Sequence, residues 1–146
     1  MKKKIAILGS TGSIGKSLID IIKRDKKSFE ITLLTANRNY KELINQAKFF
    51  KVKNLIITDD YAFTLMKKNN LRKKFNIFNN YECFKKIFRY KNDFIMSSIT
   101  GLDGLKPTLN AIKYTKNILI ANKEAIICGW NFIEKEMLKS KTNFIP

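Results

Sequence analysis

Short apolar runs alternate along this chain with segments in which apolar residues recur every three or four positions. The runs are rich in Ile, Leu and Phe and end at polar residues, which is typical of buried β-strands. They predict five strands, at residues 4–8, 29–35, 54–58, 94–97 and 117–121. A further run begins at Asn143, and we expect one more strand there, in a domain cut from something longer.

The intervening segments have the spacing of amphipathic helices. A helix is predicted at residues 13–24, with an apolar stripe formed by Ile14, Leu18, Ile21 and Ile22. A helix at residues 40–50 has another, formed by Leu43, Ile44, Ala47 and Phe50.

Four more helical segments are expected along the chain. Asp59 and Asp60 have the character of an N-cap and first turn, and Ala62, Phe63 and Met66 follow on the buried side. Three further helices are expected at residues 81–88, 105–114 and 123–139. Residues 69–80 are polar and contain only a weak apolar run at positions 75–78, so they predict no clear element.

Strand, helix and strand, repeated with short connections, are typical of a parallel sheet covered by helices on both faces. We therefore expect an α/β fold with a Rossmann-like doubly wound parallel sheet. No internal repeat or linker divides the sequence, so residues 1–146 are predicted to form one domain.

Charge bears on which partners to expect. The chain has 29 Lys and Arg against 12 Asp and Glu, a net charge of +17, which attracts nucleic acid, phosphorylated metabolites and acidic lipid alike. The lysines are scattered from Lys2 to Lys141, which favours a general compositional bias. The nearest candidate for nucleic-acid binding is residues 84–90, but its spacing fits an amphipathic helix with aromatic residues in the core. We expect no specific nucleic-acid partner.

The residue types that are missing exclude several chemistries. The chain has no His, which removes Ser-His-Asp and Cys-His catalysis and every His-ligated metal site. Cys83 and Cys128 are far apart in sequence and are expected to be free thiols in a reducing compartment. The apolar run after the basic start is too short for a signal peptide or a membrane span, so we expect a cytoplasmic protein without a membrane partner.

The stretch LGSTGSIG places three glycines between the first predicted strand and the first predicted helix. In that context Gly9 permits a tight turn, Gly12 lets the backbone approach a pyrophosphate, and Gly15 lets the helix pack closely. The N–H groups of residues 11–14, with the hydroxyls among them, are expected to face the phosphates. The spacing is a variant of the dinucleotide fingerprint and one residue too long for a P-loop. It predicts a dinucleotide-binding turn.

The segment after the second predicted strand carries no acidic residue, although NAD-binding domains place there the Asp or Glu that binds the ribose hydroxyls. The residues present are Asn37, Arg38 and Asn39. An Arg flanked by neutral amides can face a 2′-phosphate instead. The segment therefore favours NADPH over NADH, with a solvent-exposed loop Arg as the alternative.

Two further loops are expected at the carboxyl ends of later strands, where such sheets bind their ligands. Residues 97–104 form a small polar turn with two glycines. Asn122 and Glu124 suit the N-cap and first turn of the last helix, so capping alone accounts for both. Capping does not account for Lys123, a cation at the positive end of that helix, which predicts an anionic substrate or cofactor phosphate nearby.

Together these segments resemble the N-terminal, NADPH-binding domain of the 1-deoxy-D-xylulose 5-phosphate reductoisomerase family, which acts in non-mevalonate isoprenoid biosynthesis. The resemblance rests on LGSTGSIG, LTANRN, GLDGLKPTLNAIK and LIANKEAIICGW, and it spans the whole chain. It implies an NADPH-dependent oxidoreductase that rearranges 1-deoxy-D-xylulose 5-phosphate and reduces the product to 2-C-methyl-D-erythritol 4-phosphate. It also implies a divalent metal, magnesium or manganese.

The resemblance further implies a role for each matching residue. The pyrophosphate of NADPH would be held by four residues, Thr11, Gly12, Ser13 and Ile14. The phosphate on the adenosine ribose would meet three, Asn37, Arg38 and Asn39, of which Asn37 stands where some relatives carry Gly. The nicotinamide end would be lined by Asn122 and Glu124, and Lys123 would contact the sugar phosphate substrate.

In the family, the acidic segment that binds the metal and the catalytic domain come after the position matched by Pro146. We therefore expect neither metal ligands nor catalytic residues among these 146. The chain by itself is expected to bind NADPH weakly or moderately and to catalyse nothing. The expected protein partner is a second copy in a homodimer or a missing catalytic half.

Two other functions stay open on the residues alone. Similar turns occur in semialdehyde dehydrogenases, which need a Cys with a His, and in extended short-chain reductases, which need a Tyr-x-x-x-Lys pair. Tyr81 and Lys85 have that spacing, but their place before the fourth predicted strand is expected to lie far from the nicotinamide. The other alternative is a basic nucleic-acid-binding module without enzymatic activity.

Overall fold

The computed structural model describes residues 1–68 and 71–146, which form a seven-stranded parallel sheet flanked by helices. The strands are β1 Lys3–Leu8, β2 Phe29–Ala36, β3 Asn54–Ile57, β4 Asn76–Phe78, β5 Asn92–Ser97, β6 Thr115–Ile120 and β7 Asn143–Ile145. Their order across the sheet is β4-β3-β2-β1-β5-β6-β7. The direction of winding therefore reverses between β1 and β5, and the carboxyl ends of these strands mark the switch point where such sheets bind ligands.

The helices connect successive strands. They are α1 Ser13–Arg24, α2 Tyr40–Phe50, α3 Asp60–Lys68, α4 Phe84–Ile87, α5 Leu105–Ile112 and α6 Lys123–Ser140, with short 3-10 turns at Leu71–Lys73 and Leu102–Gly104. Across the described ranges, none of the helices combines the length and the apolar character that a membrane crossing requires.

Helices cover both faces of the sheet. Because successive side chains of a strand point to opposite sides, each central strand contributes to two separate apolar clusters. In β1, Ile5 and Ile7 pack with apolar residues of α1, α2 and α3, while Ala6 and Leu8 pack with those of α4, α5 and α6. All four are at most 4% exposed. The predicted doubly wound α/β fold is confirmed.

Helix α1 begins and ends where predicted, but its buried face differs from the predicted stripe. Gly15, Ile19 and Ile22 are buried, whereas Ile14 is 46% and Ile21 59% exposed. Gly15 packs against the preceding turn and so brings positions 15, 19 and 22 onto the sheet. The prediction that Ile14 and Ile21 belong to the buried stripe is wrong.

The chain between β3 and β5 departs most from the sequence-based expectation. Helix α4 covers Phe84–Ile87 only, not residues 81–88, and Tyr90 is 77% exposed, although Phe84 and Phe88 are in the core. Strand β4 was not predicted, because Asn76–Phe78 is a three-residue edge strand too short to give an alternating pattern. Within the polar stretch 69–80, residues 69 and 70 lie outside the described residues.

Candidate functional site

The glycine turn, residues 9–15, joins the carboxyl end of β1 to α1. Gly9 has φ +80°, and a Cβ there would lie 3.0 Å from the backbone of Ser98. A Cβ on Gly15 would overlap the carbonyl oxygen of Gly9, so α1 rests directly on the turn. Gly12 differs, because it has φ −77° and the nearest atom to a Cβ would be 3.7 Å away. The fold itself does not require glycine at position 12, so its small size leaves room for a ligand.

The amino terminus of α1 is open. Gly12 stands at its N-cap without a side-chain cap, and its own N–H donates to the carbonyl of Gly9 at 3.3 Å. Among the described residues, the backbone N–H groups of Thr11, Ser13 and Ile14 find no acceptor. Unpaired N–H groups at the positive end of a helix form an anion-binding site.

Neighbouring elements hold the turn in place. The N–H and hydroxyl of Ser10 donate to the carbonyl of Thr35 at 2.8 and 3.2 Å, and Gln46 Nε2 donates to the carbonyl of Ser10 at 3.0 Å. From the β5 side, the Ser98 hydroxyl donates to the carbonyl of Gly9 at 3.0 Å. Sequence reasoning missed these roles, because each contact joins residues far apart in the chain.

Two adjoining cavities lie at the carboxyl edge of the sheet. The first, about 450 Å³, is lined by Gly9, Thr11, Gly12, Ala36, Asn37, Thr58, Tyr81, Asp103 and Pro107. The second, about 220 Å³, is lined by Ile14, Ala121, Asn122, Lys123 and Glu124. Residues 98–100 border both. The structure thus brings most of the predicted site residues to one continuous cleft. Ser13, Arg38 and Asn39 stand outside its lining.

Arg38 lies on the exposed rim of this cleft, between β2 and α2. Its side chain is 82% exposed, and its Nε lies 3.8 Å from Oδ1 of Asp59. The other carboxylate oxygen of Asp59 accepts the N–H of Ala62 at 3.0 Å and caps α3. Sequence reasoning recognised the cap but not the nearby cation.

The two amides beside Arg38 use their oxygens within the chain. Oδ1 of Asn37 accepts the hydroxyl of Thr58 at 2.9 Å, and Oδ1 of Asn39 accepts the N–H of Glu42 at 3.2 Å, which caps α2. Their NH₂ groups have no acceptor among the described residues. Two amide donors and a guanidinium at three consecutive positions suit a phosphate.

Asn122 is a structural link at the end of β6. Its Oδ1 accepts backbone N–H groups of α6 at 3.0 and 3.3 Å, and its Nδ2 donates to the carbonyls of Ile99 and Gly101. The side chain is 6% exposed, and its donors and acceptors are all used. Asn122 therefore fixes the 98–101 loop against α6, while Lys123 and Glu124 are exposed at the second cavity.

Tyr81 lines the first cavity, and its hydroxyl lies 2.7 Å from Oγ1 of Thr35. Loss of contact with water raises the pKa of Tyr81 to about 12, so the phenol stays protonated at neutral pH. Lys85 is exposed on α4 and lines neither cavity, so the Tyr-x-x-x-Lys pair of short-chain reductases is not assembled. Burial likewise raises the pKa of Cys83 to about 11, and Cys128 is exposed.

The described residues do not fit a divalent metal site. In ranges 1–68 and 71–146, no group of three His, Cys, Asp or Glu side chains comes close enough together to hold an ion. The open amino terminus of α1 and the cleft beside it suit an extended anionic ligand along the carboxyl edge of the sheet.

Comparison with known proteins identifies a family. The sequence profile of 1-deoxy-D-xylulose 5-phosphate reductoisomerase matches residues 5–129. The enzymes of that name from Pelagibacter ubique and Clostridium acetobutylicum are 57% and 35% identical to the chain over 99% of its length. The chain spans 38% of the length of each of these relatives.

Solved structures agree with the sequence match. The reductoisomerase from Zymomonas mobilis, described in complex with NADPH, superimposes with a TM-score of 0.88 at 29% identity and covers 100% of this chain and 38% of its own. A DOX-P reductoisomerase in complex with NADPH, fosmidomycin and magnesium gives 0.88 at 26%, covering 99% and 36%. A hyperthermophilic archaeal homoserine dehydrogenase, at 13% identity and a TM-score of 0.62, shares the fold alone and covers 99% and 43%. The chain belongs to the 1-deoxy-D-xylulose 5-phosphate reductoisomerase family.

Proposed function

We propose that residues 1–146 act as one NADPH-binding domain and present the cofactor for the reductive step that forms 2-C-methyl-D-erythritol 4-phosphate. The observation that carries this proposal is the open amino terminus of α1, which faces a cleft at the switch point between β1 and β5. The Zymomonas mobilis relative with the same fold is described in complex with NADPH.

The glycine turn supplies the pyrophosphate site. The N–H groups of Thr11, Ser13 and Ile14 point from the positive end of α1, and Gly12 lets the phosphates come close to the backbone. Hydrogen bonds from Gln46 and Ser98 hold the turn before the ligand arrives, so little ordering is needed on binding.

The rim after β2 supplies the site for the 2′-phosphate. Arg38 provides the charge, and the NH₂ groups of Asn37 and Asn39 provide two neutral donors. The absence of an acid at the end of β2 removes the group that would bind the unphosphorylated ribose of NADH. Asp59, at 3.8 Å from Arg38, offsets part of the positive charge.

The second cavity receives the nicotinamide end. Glu124 lies at its edge, and Asn122 acts through the position of the 98–101 loop that borders both cavities. Lys123, exposed at the amino end of α6, contacts the phosphate of the sugar substrate. The described residues provide no metal site, so the metal-dependent rearrangement is not assigned to any of them.

Fluorescence titration with NADPH and NADH tests the proposal. Saturable binding with a preference for NADPH, preserved at moderate salt, is the expected result. Equal binding of both nucleotides and of DNA, all lost together as salt is raised, would show instead that the charge of +17 merely collects anions.

A further inference from the structure

Tyr81 carries a hydroxyl to which the proposed function gives no role. It lies in the loop between β4 and α4, with its ring 6.0 Å from that of Phe84 and its side chain at the first cavity. Its hydroxyl reaches across to β2 and lies 2.7 Å from Oγ1 of Thr35. The same Oγ1 accepts the N–H of Gly9 at 2.8 Å. A chain of hydrogen bonds therefore runs from the glycine turn through Thr35 to Tyr81.

The direction of this chain follows from the fully buried Thr35 hydroxyl. Oγ1 accepts from Gly9, and its own proton must be donated, because a buried hydroxyl without an acceptor is costly. Among the described residues, the oxygen of Tyr81 is the acceptor within reach. Either hydroxyl can donate in this contact, and we assign Thr35 as the donor because it is fully buried whereas Tyr81 lines the cavity. The phenol proton of Tyr81 is then left without an acceptor in the described part of the chain.

We propose that Tyr81 is a cofactor-binding residue whose phenol donates a hydrogen bond to a pyrophosphate or ribose oxygen in the adenosine half of NADPH. This inference rests on the proposed function. The position supports it, because two consecutive hydrogen bonds connect the phenol to Gly9, where the pyrophosphate turn begins. Successive hydrogen bonds polarise one another, so a bound anion also strengthens the Gly9–Thr35 contact.

Tyr81→Phe tests the inference, because it removes the hydroxyl and keeps the ring beside Phe84. Tyr90→Phe is the matched control, since Tyr90 is 77% exposed and lines the cavity at the amino end of the sheet, away from the cleft. We expect Tyr81→Phe to raise the Kd for NADPH by about threefold to tenfold, as for the loss of one hydrogen bond. The Kd for NADH rises by the same factor, because both nucleotides carry this half of the molecule. Tyr90→Phe leaves both constants unchanged.

Two smaller ligands, adenosine 2′,5′-bisphosphate and adenosine 2′-phosphate, show which oxygen of the cofactor accepts the hydrogen bond from Tyr81. If it is a pyrophosphate oxygen, Tyr81→Phe weakens binding of adenosine 2′,5′-bisphosphate and leaves adenosine 2′-phosphate unaffected. If it is a ribose oxygen, both ligands lose affinity. A purely structural role lowers the thermal midpoint of the unliganded protein and leaves every Kd of the folded chain unchanged, which overturns the inference. Failure of the unmodified chain to bind NADPH at all is a separate result, which overturns the proposed function and the role of Tyr81 together.

Discussion

Gly15 lies directly against the carbonyl oxygen of Gly9, so that the first turn of α1 rests on the end of β1. The contact leaves no space for a methyl group, because a Cβ on Gly15 would overlap the oxygen. Gly12, three residues earlier, has no such neighbour. Two glycines of one motif are therefore needed for different reasons. Gly15 is needed for packing within the fold, and Gly12 for the approach of a ligand.

Gly12→Val and Gly15→Ala are expected to separate the effect on NADPH binding from the effect on stability. The extended backbone at Gly12 accepts a side chain, so Gly12→Val should lose only about 0.5 kcal/mol of stability while lowering NADPH affinity at least roughly tenfold. Gly15→Ala should cost about 1–3 kcal/mol by overpacking. Urea denaturation and NADPH titration of both variants provide the check. A Gly12→Val variant that binds NADPH normally would contradict the assignment.

Replacement of Arg38 by Gln is expected to weaken NADPH binding about tenfold and to leave NADH binding unchanged, because only NADPH carries the 2′-phosphate. The ratio of the two dissociation constants is the measurement. Equal loss for both nucleotides would show that Arg38 contributes only general positive potential.

Asp59→Asn is expected to strengthen NADPH binding, whereas the replacement of Arg38 weakens it. The amide oxygen still accepts the N–H of Ala62 and caps α3, but the negative charge 3.8 Å from Arg38 is removed. NADPH affinity should rise about twofold to threefold, as for a solvent-exposed charge pair, and the gain should shrink at high salt. An unchanged affinity at low salt would mean that Asp59 does not influence the 2′-phosphate site.

Asn122→Asp is expected to loosen the 98–101 loop. A carboxylate still caps α6, but it loses both donors and faces the carbonyl oxygens of Ile99 and Gly101, which should cost about 1–3 kcal/mol. Asn131→Asp, on an exposed position of the same helix, is the control. Stability from urea denaturation should fall for the first variant and not for the second. Similar stability in both would rule out the linking role of Asn122.

Addition of magnesium or manganese with 1-deoxy-D-xylulose 5-phosphate is expected to give no oxidation of NADPH by the purified 146-residue chain. The physical reason is that the described residues gather no three ligands for a divalent ion. Loss of nicotinamide absorbance over time is the measurement. Sustained turnover by the pure chain would overturn this prediction.

The pattern of apolar and polar residues predicts an element when the residues of that element are enough to specify it. Helix α2 and the central strand β1 were predictable because a full apolar stripe or run specifies each. Strand β4 was not, since Asn76–Phe78 becomes a strand only through pairing with β3. The predicted burial of Ile14 is wrong for a related reason. The contact between Gly15 and Gly9 sets the rotation of α1, and the apolar spacing of the helix alone does not reveal it.

The site was predictable where a motif is continuous in sequence and not where it is assembled from distant segments. The glycine turn and Lys123 could be located from spacing and charge. Thr35 and Tyr81 are in contact although they are 46 positions apart in the sequence, and Gln46 and Ser10 are 36 positions apart. Asn122 was identified as a helix cap, but its donation to the Ile99 carbonyl depends on how the two loops pack.

The central place of β1 has a consequence for synthesis on the ribosome. Of the described strands β1 is made before the other six, yet it pairs with β2 on one side and with β5, at Asn92–Ser97, on the other. At about 5–20 residues per second, several seconds pass between the emergence of β1 and that of β5. Throughout that interval β1, whose last four residues are buried in the folded protein, has an unpaired edge. β2 and β3 can therefore be paired on both edges before β1 is, and the open edge of β1 is a natural target for a chaperone that binds extended apolar segments.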